Sequence, residues 1–147
     1  MQIMQAEKSD LSEILALQYL AYQSEAIIYN DFSIPPLTQT LEEIEQEFNN
    51  GFFLKAVESD IIIGSVRAYV KSGTLYIGKL IVHPHMRGKG IGTKLLTEIE
   101  NRHPQERYEL FTGSKSVKNI RLYERLGYVK YKEVEMSPGL KIIYMQK

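Results

Sequence analysis

Cysteine is absent from the 147 residues, and so is tryptophan. With no thiol there is no disulfide, no thiolate nucleophile and no Cys-based metal site. Charge of one sign is missing as well: 18 Lys plus Arg are balanced by 18 Asp plus Glu. No global field therefore draws the chain to nucleic acid or to an anionic membrane, and any anion site has to be local. No apolar run approaches the roughly 18 residues needed to span a bilayer, and the N-terminus lacks a basic-then-apolar signal pattern. A soluble, cytoplasmic protein that binds neither nucleic acid nor membrane is the expectation. The three histidines, His83, His85 and His103, have no ligand spacing on a helix face, although His83 and His85 could share one side of a strand. No metal is expected. The length suits a single domain, 1–147, that buries about two thirds of its unfolded surface.

Glycine, by contrast, is concentrated in one place. From Thr74 an apolar strand runs to about Val82 and meets Pro84. Gly88, Gly90 and Gly92 follow, and then a helical pattern carried by Ile91, Leu95, Leu96 and Ile99. A strand, a glycine-rich turn and a helix start leave N–H groups without intrahelical partners at the positive end of the macrodipole, a site for an anion such as phosphate. A P-loop and a dinucleotide fingerprint both fail on spacing. The residue five after Gly88 is Thr93, where the first needs Lys-Ser/Thr to follow a glycine and the second needs a glycine.

The rest of the chain supplies a regular order of elements. Residues 1–6 read as a strand. Asp10 with Glu13 resembles a capping box for a helix with the stripe Leu11, Ile14, Leu15, Gln18, Ala21 and Tyr22, ending near Glu25. Residues 26–38, with Pro35-Pro36, should not stay helical. Thr40 and Glu43 start a short helix that buries Leu41, Ile44 and Phe48 and stops at Asn49-Asn50-Gly51. Three antiparallel strands follow, Phe52 to Glu58, Ile61 to Val70 and Thr74 to about His83. Next come the helix from about Gly90 to Arg102 and a strand, Arg107 to Thr112, that should run parallel to the Thr74 strand through a right-handed crossover. Ser116 caps a last helix that ends at Gly127, and a hairpin of Tyr128 to Glu135 and Leu140 to Gln146 closes the chain. The last strand is expected at a sheet edge, and a homodimer through the C-terminal hairpin is one way to cover it.

Arg-x-x-Gly-x-Gly, formed by Arg87, Gly90 and Gly92 after a strand ending Val-His-Pro, resembles the acetyl-coenzyme A pyrophosphate loop of the GNAT superfamily of N-acetyltransferases. A second stretch, Asn119-Ile-Arg-Leu-Tyr-Glu-Arg-Leu-Gly-Tyr128, is similar to the family's asparagine-containing helix. The element order is also the family's, so the resemblance covers nearly the whole chain. It implies an α/β (α+β) fold with a mixed, mostly antiparallel central sheet. It further implies that the Thr74 strand bulges near Ile81 and splays from the Arg107 strand, leaving a gap for pantetheine.

On that resemblance the coenzyme-binding residues are Leu80, Ile81 and Val82, the loop Arg87, Gly88, Lys89, Gly90, Ile91, Gly92 and Thr93, and Ser116, Asn119 and Tyr123. Arg87 either pairs with a phosphate or braces the loop. The asparagine stands four residues before Tyr123, where the commoner pattern has seven, a position held here by Ser116, so either residue is a candidate for the contact. The Val82 N–H is aimed at the thioester carbonyl. Tyr123, protonated at neutral pH, is the candidate acid for the departing thiolate, against a reading as packed aromatic beside Ile120 and Leu126. The general base has no inherited position, because Gly78 and Phe111 stand where family members carry acids. Glu109 is the candidate, with Glu25 and Asp31 as others, and a water relay would need none. Tyr22, Glu25, Tyr29 and Asp31, facing the Met136 to Leu140 turn, are the expected acceptor site, suited to a cationic amine of a small molecule or peptide. The implied activity is direct acetyl transfer from acetyl-coenzyme A in a ternary complex, since no cysteine can carry the acetyl group. A non-catalytic acyl-coenzyme A sensor and an enzyme for a longer acyl donor are the alternatives.

Overall fold

A computed structural model describes residues 1–147. Ser59 and Asp60 both take positive φ, 51° and 63°, and Ser72 and Gly73 do the same at 50° and 78°. Two-residue connections of this kind match the twist of antiparallel strands. They join β2 (Phe52–Glu58), β3 (Ile61–Lys71) and β4 (Thr74–Val82) into a meander, and β1 (Gln2–Gln5) pairs antiparallel with β2 on its outer side. Beyond β4 the chain crosses through α5 (Ile91–Arg102) to β5 (Arg107–Gly113), which runs parallel to β4 as the crossover predicts. The sheet order is β1-β2-β3-β4-β5-β7-β6, with β6 at Val129–Ser137 and β7 at Leu140–Gln146. β4 with β5 is its parallel pair, and the other strand pairs are antiparallel.

Helices cover both faces. On one side lie α1 (Leu11–Ala21) and α4 (Leu41–Asn49), and Leu11, Ile14, Leu15, Ile44, Phe53, Ile62 and Ile81 form the core between them and the sheet. On the other side α5 buries Ile91, Leu95, Leu96 and Ile99 against Leu54, Val66, Leu75 and Ile77, and Tyr123 of α6 (Val117–Arg125) joins the same core. The Thr40 box forms as its spacing predicts. Glu43 N–H donates to Thr40 Oγ1 at 3.2 Å and Thr40 N–H to Glu43 Oε1 at 2.9 Å.

Five local expectations change. The first helix stops at Ala21, and α2 (Gln23–Tyr29) restarts after Tyr22, whose ψ of 0° turns the axis. Pro35-Pro36 opens α3 (Pro35–Thr38), because proline at the first helical position gives up only an N–H that would lack a partner anyway. Asp10 and Glu13 make no capping box with each other. Asp10 accepts from Glu7 N–H and Lys55 Nζ, both at 2.7 Å, while Glu13 accepts from Ile62 N–H at 2.9 Å, and Leu41 is exposed. The last strand is not an edge: β7 is inserted between β5 and β6, so the edge is the exposed β6, with Lys130, Lys132, Glu133 and Glu135. Charge along an edge discourages strand addition, and the edge argument for a homodimer falls with it.

Candidate active site

β4 and β5 pair only at Thr74 with Arg107, Leu75 with Tyr108 and Tyr76 with Glu109. Beyond Tyr76 they part, although β4 continues to Val82 and β5 to Gly113. The cause is local. Between Gly78, opposite Arg67, and Ile81, opposite Ser65, β4 holds one residue more than β3, and Lys79 takes φ +49°. This is a β-bulge two residues earlier than the resemblance implies, and it bends the strand and resets its alternation. Ile81 therefore packs with α1, while Leu80 and Val82 lean on the α5 side. The His83 N–H donates to Ile63 O of β3 at 2.8 Å. By strand alternation the Val82 N–H then points the other way, into the gap.

The glycine loop ends beside the same gap. Gly88 and Gly90 take φ +79° and +78°, and a Cβ on either would meet nothing within 4 Å. The first helical bond is Lys94 N–H to Gly90 O at 3.1 Å, and no amide from Arg87 through Thr93 finds an acceptor in the chain. Of the two roles left open for Arg87, bracing is the one seen. Its guanidinium donates to Ala21 O at 2.8 Å and to Ser24 Oγ at 3.2 Å, tying the loop to the orphan carbonyls at the end of α1. Lys89 is exposed, Ile91 is core, and Thr93 lies in the first turn of α5.

Tyr22, Glu25, Tyr29, Ser116 and Tyr123 are brought together around the gap. Ser116 is the residue before α6, yet its hydroxyl caps nothing; it donates to Glu25 Oε2 at 2.5 Å. Tyr29 Oη lies 3.1 Å from Ser116 Oγ and accepts from Lys115 N–H at 2.9 Å. With the Ser116 proton committed to Glu25, Tyr29 is the donor in their bond. Gly113 makes room, since a Cβ there would stand 1.9 Å from Tyr29 Oη. The hydroxyls of Tyr22 and Tyr123 bond nothing in the chain. Arg67 Nε alone is both sealed from solvent and unpartnered, so both hydroxyls open onto accessible space. Burial pushes the Tyr22 phenol up to about 12, with Arg67 opposing and Glu25 assisting. The Tyr123 phenol is raised by burial and then by the charges of Tyr22 and Glu25, so it is protonated throughout the physiological range.

Three predicted residues lie apart from that cluster. Asp31 is exposed and caps its own turn, accepting from Ser33 N–H at 2.8 Å and Ser33 Oγ at 2.6 Å. Glu109 stands at the last paired position and accepts from Arg107 and Tyr131, both at 2.6 Å. Asn119 faces Thr112 at a long 3.5 Å, which leaves most of its hydrogen-bonding capacity unused.

The sequence reading missed a polar group on the α1 face of the sheet. Arg67 is buried, donates to Glu47 Oε2 and Gln18 Oε1 at 2.6 Å each, and lies 4.7 Å over the Phe53 ring. The signal was present in an arginine within the apolar run of β3, and in Gln18 on the buried stripe of α1. Beside them Gly78 faces open space, as a Cβ there would meet nothing within 4 Å. Tyr69 and Tyr76 stack at 5.1 Å on the same face.

Residues 11–128 match the sequence profile described as the acetyltransferase (GNAT) family. The chain belongs to that family. The GNAT chain is 30% identical over 129 residues, 87% of its length, to the UPF0157 protein YqkA of Bacillus subtilis, and spans 37% of that protein. In shape it is similar to smu.2055 of Streptococcus mutans, with a TM-score of 0.84 at 19% identity over 100% of this chain and 98% of that one. It is also similar to yncA of Salmonella typhimurium, a structure holding acetyl-CoA, with a TM-score of 0.76 at 23% identity over 100% and 92%. The GNAT fold and acyltransferase family membership follow. No helix is long and apolar enough to cross a membrane.

Proposed function

We propose that this GNAT chain is an N-acetyltransferase that moves the acetyl group of acetyl-coenzyme A directly to a primary amine of a small molecule or peptide. The observation that carries the reading is the conjunction of a parted β4/β5 pair with a run of unpaired amides at the start of α5. The residues fit such a ligand. Free N–H groups from Arg87 to Thr93 suit a diphosphate, the open edges of β4 and β5 suit the amide groups of a pantetheine arm, and Asn119 rather than the committed Ser116 has donors to spare for it.

In the reaction the ammonium gives one proton to a base, the amine nitrogen bonds to the thioester carbon, the carbon–sulfur bond breaks and the sulfur leaves with the bonding pair; an acid protonates the sulfur and is restored by the second proton that the nitrogen loses as the amide forms. The Val82 N–H serves the carbonyl oxygen as negative charge develops there. Tyr123, protonated and unbonded, serves the sulfur. For the ammonium proton the suitable carboxylate is Glu25, whose charge both Tyr22 and Tyr123 feel. Glu109, by contrast, is already paired. The length of 147 residues supports reading residues 1–147 as one domain.

The test is thiol release from acetyl-coenzyme A across a panel of amines, repeated with Tyr123→Phe. Turnover should fall about 10²–10⁴-fold, the usual range for a lost acid–base group, while affinity for the coenzyme is kept. Tight coenzyme binding with no turnover in either form would mean a sensor, the reading that Gly78 and Phe111 at the family's acid positions favour. Faster release from propionyl- or succinyl-coenzyme A would mean a longer acyl donor.

A further inference from the structure

The α1 face of the sheet beside Gly78 is unequally charged. Arg67 and Lys79 face one carboxylate, Glu47, and that carboxylate is used by Arg67 at 2.6 Å. Lys79 makes no salt bridge and no hydrogen bond, and its Nζ is not sealed from solvent. Its position is set by the bulge, at a φ of +49° that a long side chain adopts only at some cost. Burial lowers its ammonium pKa, with Glu47 opposing and Arg67 adding, so a cation without a salt bridge is held where burial and Arg67 disfavour it. Glu25 supplies a carboxylate whose charge reaches Tyr22 and Tyr123. Tyr22 is within reach of the charges of both Arg67 and Glu25. Glu109, paired with Tyr76 in the sheet, is matched by Arg107.

Resting on the transferase reading above, we infer that Lys79 binds a carboxylate of the acceptor, and that the acceptor is an amino carboxylic acid whose ammonium lies toward Glu25. A zwitterion complements a cleft with a cation at one end and a carboxylate at the other, and a monoanion suffices to neutralise the one cation in excess. A phosphate would leave a charge uncompensated, and a polyamine would set a cation against Lys79. Next to Lys79 in the chain, Gly78 leaves space open, since a Cβ there would meet nothing within 4 Å.

The experiment compares free amino acids with their carboxamides, together with ω-amino acids of increasing length. Wild type, Lys79→Met and Lys79→Arg are measured by thiol release and by equilibrium binding in the presence of coenzyme A. The carboxamide has the less basic amine and would otherwise be the faster acceptor near neutral pH. Wild type should nonetheless favour the free acid by about tenfold or more in kcat/KM, through KM, on the scale of a charge-assisted hydrogen bond. Lys79→Met should erase that preference while leaving carboxamide turnover unchanged, and Lys79→Arg should restore it. Equal use of acid and carboxamide by wild type, or an equal loss on both in Lys79→Met, overturns the inference but leaves the transferase standing. Lys79-dependent binding of the free acid with no thiol released from any acceptor sustains the carboxylate site and overturns the transferase. Absence of both binding preference and turnover overturns both.

Discussion

Gly90→Ala separates the cost of a backbone conformation from the cost of blocking a ligand. Gly90 has φ +78°, and nothing lies within 4 Å of where its Cβ would be. The substitution therefore has no clash to relieve and carries only the left-handed penalty, about 1–2 kcal/mol, or about 2–4 °C in Tm per kcal/mol for a chain of this size. Gly73, in the β3–β4 hairpin, supplies the control: it has the same φ of +78° and equally empty surroundings. Gly73→Ala should lower Tm by a similar amount. The two variants should part on adding acetyl-coenzyme A. A methyl group at Gly90 occupies open space beside the free Gly90 and Ile91 amides and holds an anion away from them, and loss of one charge-assisted hydrogen bond, about 1.5–3 kcal/mol, weakens binding at least tenfold. Calorimetric titration and the ligand-induced rise in Tm both read this. Equal affinities in Gly73→Ala and Gly90→Ala would mean that the loop holds no diphosphate, and the direction of the whole site would have to be redrawn.

Two further outcomes follow from single contacts. Gly113→Ala should push Tyr29 from its place, since Cβ and Oη would otherwise be 1.9 Å apart. It should cost about 1–2 kcal/mol through the bonds lost to Ser116 and the Lys115 N–H, and hydrogen exchange should show faster opening at residues 23–29, with unchanged exchange there counting against the packing described. His103 stacks on Phe52 at 3.7 Å, and burial, with the Arg102 charge, lowers its pKa below 6.5. A depressed folded pKa means that its contribution is complete above pH 6.5 and is lost as pH falls from there through the folded value. His103→Phe should accordingly flatten the dependence of Tm on pH between about 7 and 5 relative to wild type; parallel curves would refute it.

Much of the fold was legible in sequence because it rests on local rules. Period-two alternation, two-residue turns able to take positive φ and the Thr40 box marked the strands and α4 within a residue or two. The helix between Thr74 and Arg107 required their strands to run parallel. The break at Tyr22 was not legible because it depends on tertiary contacts, Arg87 tying back to Ala21 beside it, whereas the turn at Pro35 follows a local rule, proline opening a helix, that the reading of the proline pair as a breaker passed over. The insertion of β7 beside β5 was hidden for a similar reason, as a hairpin pattern does not say which of its strands meets the sheet. Glu25 and Tyr29 read in sequence as acceptor-site residues and Ser116 as a helix cap or coenzyme contact, but nothing local marked the hydrogen bonds that join them across separations of 87 and 91 positions.

Sequence alone determined the glycine loop, the strand before it and the helix after it, since those follow from backbone freedom and periodicity along a few consecutive residues. Tertiary structure decided where β4 and β5 part, that Glu109 is paired and that Lys79 is not. Charge pairing and strand register are set by residues distant in the chain, and their energies exist only once the sheet has brought those residues face to face.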